Sequence, residues 1–210
     1  MSFQPPHPSQ NSIASPFSQG AIASLSGTEE ILSVSQIPLT LMIGLPGSGK
    51  STLAAQLAQE SQQWVISTDQ IREQLFGNEA IQGDWNLVQR EVQRQFRQAI
   101  GAIRQGRLQG AIYDATNVRR RDRRRFLQQV RLIGFNSITG FWVDTPFALC
   151  LERNQNRWRQ VPPEVILRMH RQLAGAPPSL EEGFDRLIQR IALMNQVKNQ
   201  EIESFLINQN

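Results

Sequence analysis

Cysteine and histidine are scarce in this chain, and their scarcity excludes two kinds of site. The single cysteine, Cys150, has no second cysteine with which to form a disulfide inside the chain. Together with His7 and His170 it offers too few soft ligands for a structural zinc cluster. The sequence shows neither a basic-then-apolar leader nor an apolar run of about 18 residues. We therefore expect a soluble, cytoplasmic protein that does not engage a membrane.

Lysine is almost as scarce. Only Lys50 and Lys198 are lysines among 22 basic residues, which oppose 18 acidic ones for a net charge of +4. An arginine guanidinium can bind two phosphate oxygens at once, whereas a lysine ammonium cannot. The excess of arginine therefore reflects either a phosphate-rich partner or a general compositional preference, and composition leaves both open.

The chain divides into three parts by composition. Residues 1–36 are rich in Ser, Gln and Pro and carry only Glu29 and Glu30 as charges, which predicts a disordered tail. Residues 37–193 alternate between apolar strand-like runs and amphipathic helical stretches, and they form the predicted folded domain. Residues 194–210 are a candidate C-terminal helical tail.

The alternation within the central part predicts an α/β fold, a parallel sheet with helices on both faces. The last segment fits a strand or a helix, and we favour a strand. The predicted strands are 37–43, 64–67, 137–144 and 185–193, together with 110–117, a strand that runs into a turn. The predicted helices are 50–60, 69–76, 85–103, 119–132, 147–156 and 164–173.

The stretch GLPGSGKST, residues 44–52, follows a predicted strand and opens a predicted helix. This is the context of a phosphate-binding loop (P-loop), in which glycines let backbone N–H groups surround phosphate oxygens at a helix N-terminus. Lys50 would reach the outer phosphates, and the Ser51 hydroxyl would bind Mg²⁺. The predicted ATP-binding residues of the loop are Gly44, Pro46, Gly47, Ser48, Gly49, Lys50, Ser51 and Thr52.

The loop predicts a bound nucleotide but not the reaction. The guanine-reading Asn-Lys-x-Asp stretch of a GTPase is absent, and little chain follows for the second helical domain of a ring ATPase. The remaining interpretation is a small kinase that uses ATP and Mg²⁺.

Two further stretches, each after a predicted strand, supply candidate residues for the reaction. Asp69 follows the second predicted strand, and its carboxylate would be either a general base for an acceptor hydroxyl or a cap for the next helix. Arg72 lies on the same helix face and could hold an acceptor phosphate. Asp114, at the end of the third strand, could hold Mg²⁺ or position the acceptor, or could merely belong to a turn. Thr116 and Asn117 follow it as acceptor-pocket residues and good helix caps.

Arginines mark the remaining stretches. Arg153 and Arg157 have i, i+4 spacing at a helix end before VPP (161–163), the pattern of a lid that closes over ATP, although a solvated helix face has the same pattern. The run RRRDRRR (119–125) is expected to point largely outward, either as plain surface or as a nucleic-acid footprint. Trp85, Trp142 and Trp158 could stack on bases or pack in the core and lid.

These motifs together resemble the kinase domain of polynucleotide 5′-hydroxyl kinases and related bacterial P-loop kinases of unassigned substrate, over residues 38 to about 173. The resemblance implies that Asp69 is the general base and that Arg72 contacts the acceptor strand's phosphate. It also implies that Arg157 is a lid arginine at the transferred phosphoryl group and that Asp114 lies in the acceptor pocket. The block PPSLEEGF (177–184) is similar to the kinases of unassigned substrate, and Ser179 and Glu182 within it have capping-box spacing.

The expected activity is transfer of the γ-phosphate of ATP to a hydroxyl, with a nucleic-acid 5′ end as the favoured acceptor. A small-molecule kinase and an ATP-hydrolysing switch without an acceptor are the alternatives. The predicted catalytic residues are Lys50, Asp69 and Arg157, with Ser51 and Asp114 at the metal and Arg153 at ATP.

Overall fold

A computed structural model describes residues 36–79, 81 and 83–191 of the chain. The predicted N-terminal tail, apart from residue 36, and the predicted C-terminal helix at 194–210 lie outside the described residues. Among the residues described, no helix is both long and apolar enough to cross a membrane.

Within the described part of the chain, five strands form one sheet, and every neighbouring pair is parallel. Their order across the sheet is β2-β3-β1-β4-β5. The strands are β1 (Pro38–Ile43), β2 (Gln63–Ser67), β3 (Gly110–Asp114), β4 (Ser137–Asp144) and β5 (Arg186–Ile191). The predicted parallel α/β sheet is confirmed, including the assignment of the ambiguous last segment to a strand.

Six α-helices connect or follow these strands within the described residues. They are α1 (Lys50–Glu60), α2 (Thr68–Phe76), α3 (Trp85–Arg104), α4 (Arg120–Ile133), α5 (Phe147–Gln155) and α6 (Pro163–Gly175). A short 3-10 turn at Leu180–Glu182 precedes β5. Each predicted helix is confirmed, with bounds that differ by at most two residues.

The sheet is buried on both faces, as a parallel sheet requires. Side chains of a strand alternate between its two faces, so Leu41 and Ile43 belong to one apolar cluster and Met42 to the other. The first cluster includes Phe96 of α3, and the second includes Leu53 of α1. Helices therefore cover both faces of the sheet, and a ligand can reach the sheet at the ends of its strands.

The strand register brings the carboxyl ends of β1, β2 and β3 together. Ser67, the last residue of β2, pairs with Asp114, the last residue of β3. On the other side of β3, Leu41 of β1 pairs with Tyr113. The P-loop, Asp69 and the loop after Asp114 follow directly after these strands. The predicted site residues therefore lie together at the carboxyl ends of the strands.

The segment between β3 and α4 differs from prediction in its helix cap. Neither Thr116 nor Asn117 caps α4, because the N-cap residue is Arg119. Asn117 instead has a left-handed backbone (φ 49°), and its side-chain amide donates to the backbone oxygen of Met42 at 2.7 Å. The loop is thus held against β1 before the helix begins.

Candidate active site

The P-loop has the backbone that its glycines allow. Gly47 and Gly49 have φ of 80° and 88°, in the left-handed region that side chains disfavour. A Cβ atom on Gly47 would also collide with the backbone oxygen of Cys150, on α5. Gly44 is close-packed too, since a Cβ there would lie 2.7 Å from the Ser48 hydroxyl oxygen. The tight loop therefore depends on the glycines that the motif supplies.

Neighbouring loops hold the P-loop in place. The Thr145 hydroxyl, between β4 and α5, donates to the backbone oxygen of Ser48 at 2.9 Å. The Gly44 N–H donates to the backbone oxygen of Thr116 at 3.0 Å. Gly49 is the N-cap of α1 and provides no side-chain cap for the N–H groups of the first turn. Those donors and the helix dipole suit a phosphate anion.

The predicted magnesium residues pass a test of fit. Asp114 is buried, and its Oδ1 has no hydrogen-bond partner among the described residues. Ser51 is exposed at the second position of α1. A carboxylate and a hydroxyl are oxygen ligands that Mg²⁺ accepts, and Mg²⁺ takes most of its remaining ligands from phosphates and water. The described residues include no cluster of three or more His, Cys, Asp or Glu able to hold a metal by itself.

Asp69 lies at the second position of α2 and faces arginines. Its Oδ1 accepts from Arg72 Nη1 at 2.8 Å and lies 3.4 Å from Arg159 Nη1. The Asp69 side chain is 44% exposed, while those of Arg72 and Arg159 are only 12% and 16% exposed. Two largely buried cations thus orient a solvent-accessible carboxylate. Its bonding partners are guanidinium groups, and the N-cap position of α2 belongs to Ser67.

Arg159 is a site residue that sequence reasoning missed. It also lies 3.6 Å from Glu79, which follows α2. The available signal was its place in Arg157-Trp158-Arg159, next to the arginines predicted for a lid. Its partner Asp69, however, is 90 positions away in sequence. Only the fold brings them together.

Arg153 and Arg157 do not share a helix face, contrary to prediction. Helix α5 ends at Gln155, so Arg157 lies in the turn that follows it. The cause is Asn154, which is buried and exchanges two hydrogen bonds with the backbone of Val161, at 2.8 and 3.0 Å. These bonds close the chain into a turn. Arg153 consequently lies at the P-loop, with Nη1 3.9 Å from where a Cβ on Gly49 would be, whereas Arg157 faces Asp69's cleft.

A cleft of about 900 Å³ joins these elements. Among the described residues, seven basic and three acidic side chains line it, so this lining is net positive. The predicted residues that line this cleft are Pro46, Lys50, Asp69, Arg72, Asp114, Thr116, Asn117 and Arg157. The remaining predicted residues, Gly44, Gly47, Ser48, Gly49, Ser51, Thr52 and Arg153, belong to the P-loop, the start of α1 and the adjoining face of α5.

The arginine run at 119–125 is largely outward, as predicted, with the exception of Arg123. Arg123 is completely buried and binds Glu182 through two hydrogen bonds of 2.6 Å, from Nε and Nη2. Its other N–H groups donate to the backbone oxygens of Asn117, Val118 and Ala176. The missed signal was spacing, since position 123 lies on the helix face of the apolar positions 127 and 130.

The predicted capping box at residues 179–182 forms only in part. The Ser179 hydroxyl accepts from the Glu181 N–H at 3.3 Å, as a cap should. The Glu182 carboxylate does not accept a hydrogen bond from the Ser179 backbone N–H, because it is buried, binds Arg123 and lies 3.4 Å from Arg120.

The three tryptophans have three different environments. Trp142 is partly buried and packs against the core, as one of the two interpretations expected. Trp85 lines the cleft, 47% exposed, with the Arg72 guanidinium 5.5 Å from its ring centre. Trp158 is 81% exposed and so packs against little of the lid.

Two buried groups are kept protonated. Burial raises the pKa of the Cys150 thiol to about 11 and raises the pKa of the Tyr113 phenol, on the cleft wall, above its usual range. At neutral pH neither group can act as an anionic nucleophile or base.

A P-loop between β1 and α1, beside a carboxylate after β2, is the arrangement of P-loop kinases, and solved structures show the same fold. A candidate kinase from Chloroflexus aurantiacus J-10-fl aligns with a TM-score of 0.58 at 16% identity, over 77% of this chain and 91% of its own. A protein in the Pnkp1/Rnl/Hen1 RNA repair complex aligns with a TM-score of 0.55 at 21% identity, over 74% of this chain and 49% of its own. The tunicamycin resistance protein of Deinococcus radiodurans aligns with a TM-score of 0.50 at 16% identity, over 73% and 86% of the two chains.

The chain belongs to the AAA domain family, whose model matches residues 39–176. A search of curated proteins found no match. The structural alignments, all below 25% identity, establish the fold that the resemblance had implied and leave the acceptor open.

Proposed function

We propose that this protein is an ATP-dependent kinase that transfers the γ-phosphate to a polynucleotide 5′-hydroxyl. The observation that carries the proposal is the Asp69 carboxylate, oriented by Arg72 and Arg159 in the same cleft as Lys50. A carboxylate held in this way at the end of a strand next to a P-loop can receive the proton of an attacking hydroxyl.

The P-loop holds the donor in this proposal. Backbone N–H groups of Gly47 to Ser51 and the Lys50 ammonium bind the phosphates of ATP. Ser51 and Asp114 would hold Mg²⁺, which neutralises charge on the phosphates when bound. Arg153, beside the loop, adds positive charge on the donor side.

The reaction then needs one proton transfer and one substitution. Asp69 takes the proton of the acceptor hydroxyl while the oxygen of that hydroxyl forms a bond to the γ-phosphorus. The bond from that phosphorus to the bridging oxygen breaks, and ADP leaves with the electron pair. Arg157 stabilises the charge on the transferring group, and Arg72 contributes a cation for the acceptor's phosphate besides orienting Asp69.

The lining of the cleft supports a polyanionic acceptor. Its seven basic side chains exceed the charge needed to balance its three carboxylates. Arg125 and Arg168 lie beyond the groups that contact ATP or the reacting hydroxyl in this scheme, and they have no ion-pair partner among the described residues. Such a surplus suits the phosphodiesters of a strand.

A small-molecule acceptor is the second candidate, and it has its own observation. Four neutral glutamines, Gln89, Gln93, Gln129 and Gln172, also line the cleft. Amide groups both donate and accept hydrogen bonds, so they suit a hydroxylated, uncharged substrate as well as a nucleobase.

The test is transfer of labelled γ-phosphate from ATP and Mg²⁺ to 5′-hydroxyl DNA and RNA oligonucleotides. Wild type is compared with Asp69→Asn and with a control, Glu60→Gln, at an exposed carboxylate on the last residue of α1. We expect labelled oligonucleotide with wild type and the control, and a loss of about 10²–10⁴-fold in kcat with Asp69→Asn.

Each other outcome points elsewhere. Near-normal transfer by Asp69→Asn would remove the base role. No label on any oligonucleotide, with ATP hydrolysis intact, would move the proposal to a small-molecule acceptor. A rate of ATP hydrolysis that changes neither when an acceptor is added nor in Asp69→Asn would indicate a switch module. Salt separates the first two candidates further, because kcat/KM for a polyanion falls steeply as salt rises.

A further inference from the structure

A second, shallower groove lies on helix α6 and adjoins the cleft. Its volume is about 450 Å³, and its lining is Glu164, Leu167, Arg168, Arg171 and Gln172. Arg168 and Gln172 line the cleft as well. The two cavities therefore meet at these two side chains, and a ligand too long for the cleft can continue into the groove.

Helix periodicity explains why one helix serves both cavities. Val165, Arg168, Met169 and Gln172 face the cleft, with spacings of three and four. Glu164, Leu167 and Arg171 follow the same spacings one residue earlier and so form the adjacent stripe. Arg168 and Gln172 lie on the boundary between the stripes, where the groove opens from the cleft.

The charges in the groove select an anion. Arg168 and Arg171 are exposed and lack an ion-pair partner in the described part of the chain. The groove has one carboxylate, Glu164, in the first turn of α6, where a negative charge interacts favourably with the helix dipole. Two guanidinium groups three residues apart on one helix can contact successive phosphates of a chain.

We propose that this groove binds backbone phosphates of the acceptor strand downstream of its reacting 5′ nucleotide, with Arg168 and Arg171 as the phosphate ligands. The inference rests on the proposed function. It assigns a second binding site outside the reaction centre and predicts that the enzyme prefers long acceptors over a single nucleotide. Arg171 lines only the groove, so its removal isolates this site from the cleft.

The experiment compares acceptors of increasing length. A nucleoside 3′-monophosphate, a trinucleotide and a 12-mer, all with 5′-hydroxyls, are phosphorylated by wild type, Arg171→Ala and Arg107→Ala. Arg107 is the matched control because it is exposed and, among the described residues, its side chain bonds only to the side chain of Gln105. It also lies just before β3, at the amino ends of the strands, whereas the cleft lies at their carboxyl ends. Thermal melts establish that both variants fold.

We expect Arg171→Ala to raise KM for the 12-mer about five- to tenfold, the loss of one charge-assisted contact, with kcat unchanged. KM for the nucleoside 3′-monophosphate should not change, and Arg107→Ala should match wild type. The slope of log(kcat/KM) against log[salt] for the 12-mer should become shallower by about 0.7–1.

Two results would overturn the inference in distinguishable ways. If wild type labels the acceptors but Arg171→Ala and Arg107→Ala give the same KM for the 12-mer, the groove is not a phosphate site while the proposed kinase function stands. An equal rise in KM for the shortest and longest acceptors has the same meaning. If wild type labels none of the three acceptors, the polynucleotide function fails and the groove's assignment fails with it.

Discussion

The buried Arg123–Glu182 pair leads to a prediction about stability. Arg123 uses all five guanidinium N–H donors, two on the Glu182 carboxylate and three on the backbone oxygens of Asn117, Val118 and Ala176. These bonds connect α4, the loop after β3, the end of α6 and the turn before β5. We expect Arg123→Met to destabilise the domain strongly, because it leaves a carboxylate buried without its main partner.

The magnitude follows from the burial of both partners. Both side chains are fully buried, and removing one member of a buried pair costs about 3–5 kcal/mol in the free energy of unfolding. Arg120, 3.4 Å from Glu182 and 40% exposed, offsets part of this cost and favours the lower half of the range. For a domain of this size about 1 kcal/mol lowers Tm by about 2–4 °C, so Tm should fall by about 6–16 °C.

The assay is urea denaturation followed by circular dichroism, with Arg131→Met as the matched control. Arg131 also lies on α4, and it binds Gly183 and Asp185 in the same segment before β5. Its pair is partly exposed, at 37% and 46%, so its loss should cost at most about 1 kcal/mol. Arg123→Lys, which keeps the charge but loses the two-pronged geometry, should fall between the two methionine variants.

A double variant separates the lost charge balance from lost packing. Arg123→Met with Glu182→Leu should be more stable than Arg123→Met alone, because no unpaired charge remains buried. It should stay below wild type, since three backbone oxygens lose their donor. If Arg123→Met costs no more than Arg131→Met, the argument from burial is wrong.

Three further predictions concern the site. Gly47→Ala should abolish binding of a fluorescent ATP analogue, while Gly49→Ala should weaken it less, because only the first Cβ meets a backbone atom; equal losses would contradict the steric argument. Asp114→Asn should raise the Mg²⁺ concentration needed for half-maximal ATP turnover by about tenfold or more with little change in Tm, and an unchanged Mg²⁺ titration would remove Asp114 from the metal. Cys150, whose pKa is raised to about 11, should react with a thiol reagent at pH 8 roughly a hundredfold more slowly than a free thiol, and at full speed in denaturant. Because the unfolded thiol loses its proton first, stability should fall as pH rises from about 9 to 11; a stability flat across that window would refute the burial effect.

The features that the sequence predicted correctly are local ones, which contiguous residues encode. The P-loop needs positive φ at glycines within a few positions of one another, and a strand before and a helix after it are visible as apolar runs. Asp69 and Arg72 also lie on one helix face, as predicted, because side chains three residues apart on a helix are neighbours. The strand-to-helix alternation likewise predicted the parallel sheet without any knowledge of strand order.

The errors fall where a contact spans distant segments. Arg153 and Arg157 were separated by the end of α5, which Asn154 closes against Val161, and helix ends are the least certain feature of a periodic pattern. Arg123 was expected at the surface because arginine rarely lies in a core, and the carboxylate that pays for its burial is 59 positions away.

By itself the sequence determined the class of fold and the place of the nucleotide, because both depend on local backbone preference and on the period of apolar residues. Tertiary structure alone decided which charges meet. It set Arg159 against Asp69, buried Arg123 on Glu182, and joined the cleft to the groove on α6. Such pairings depend on the packing of segments far apart in the chain, for which no local pattern specifies the partner.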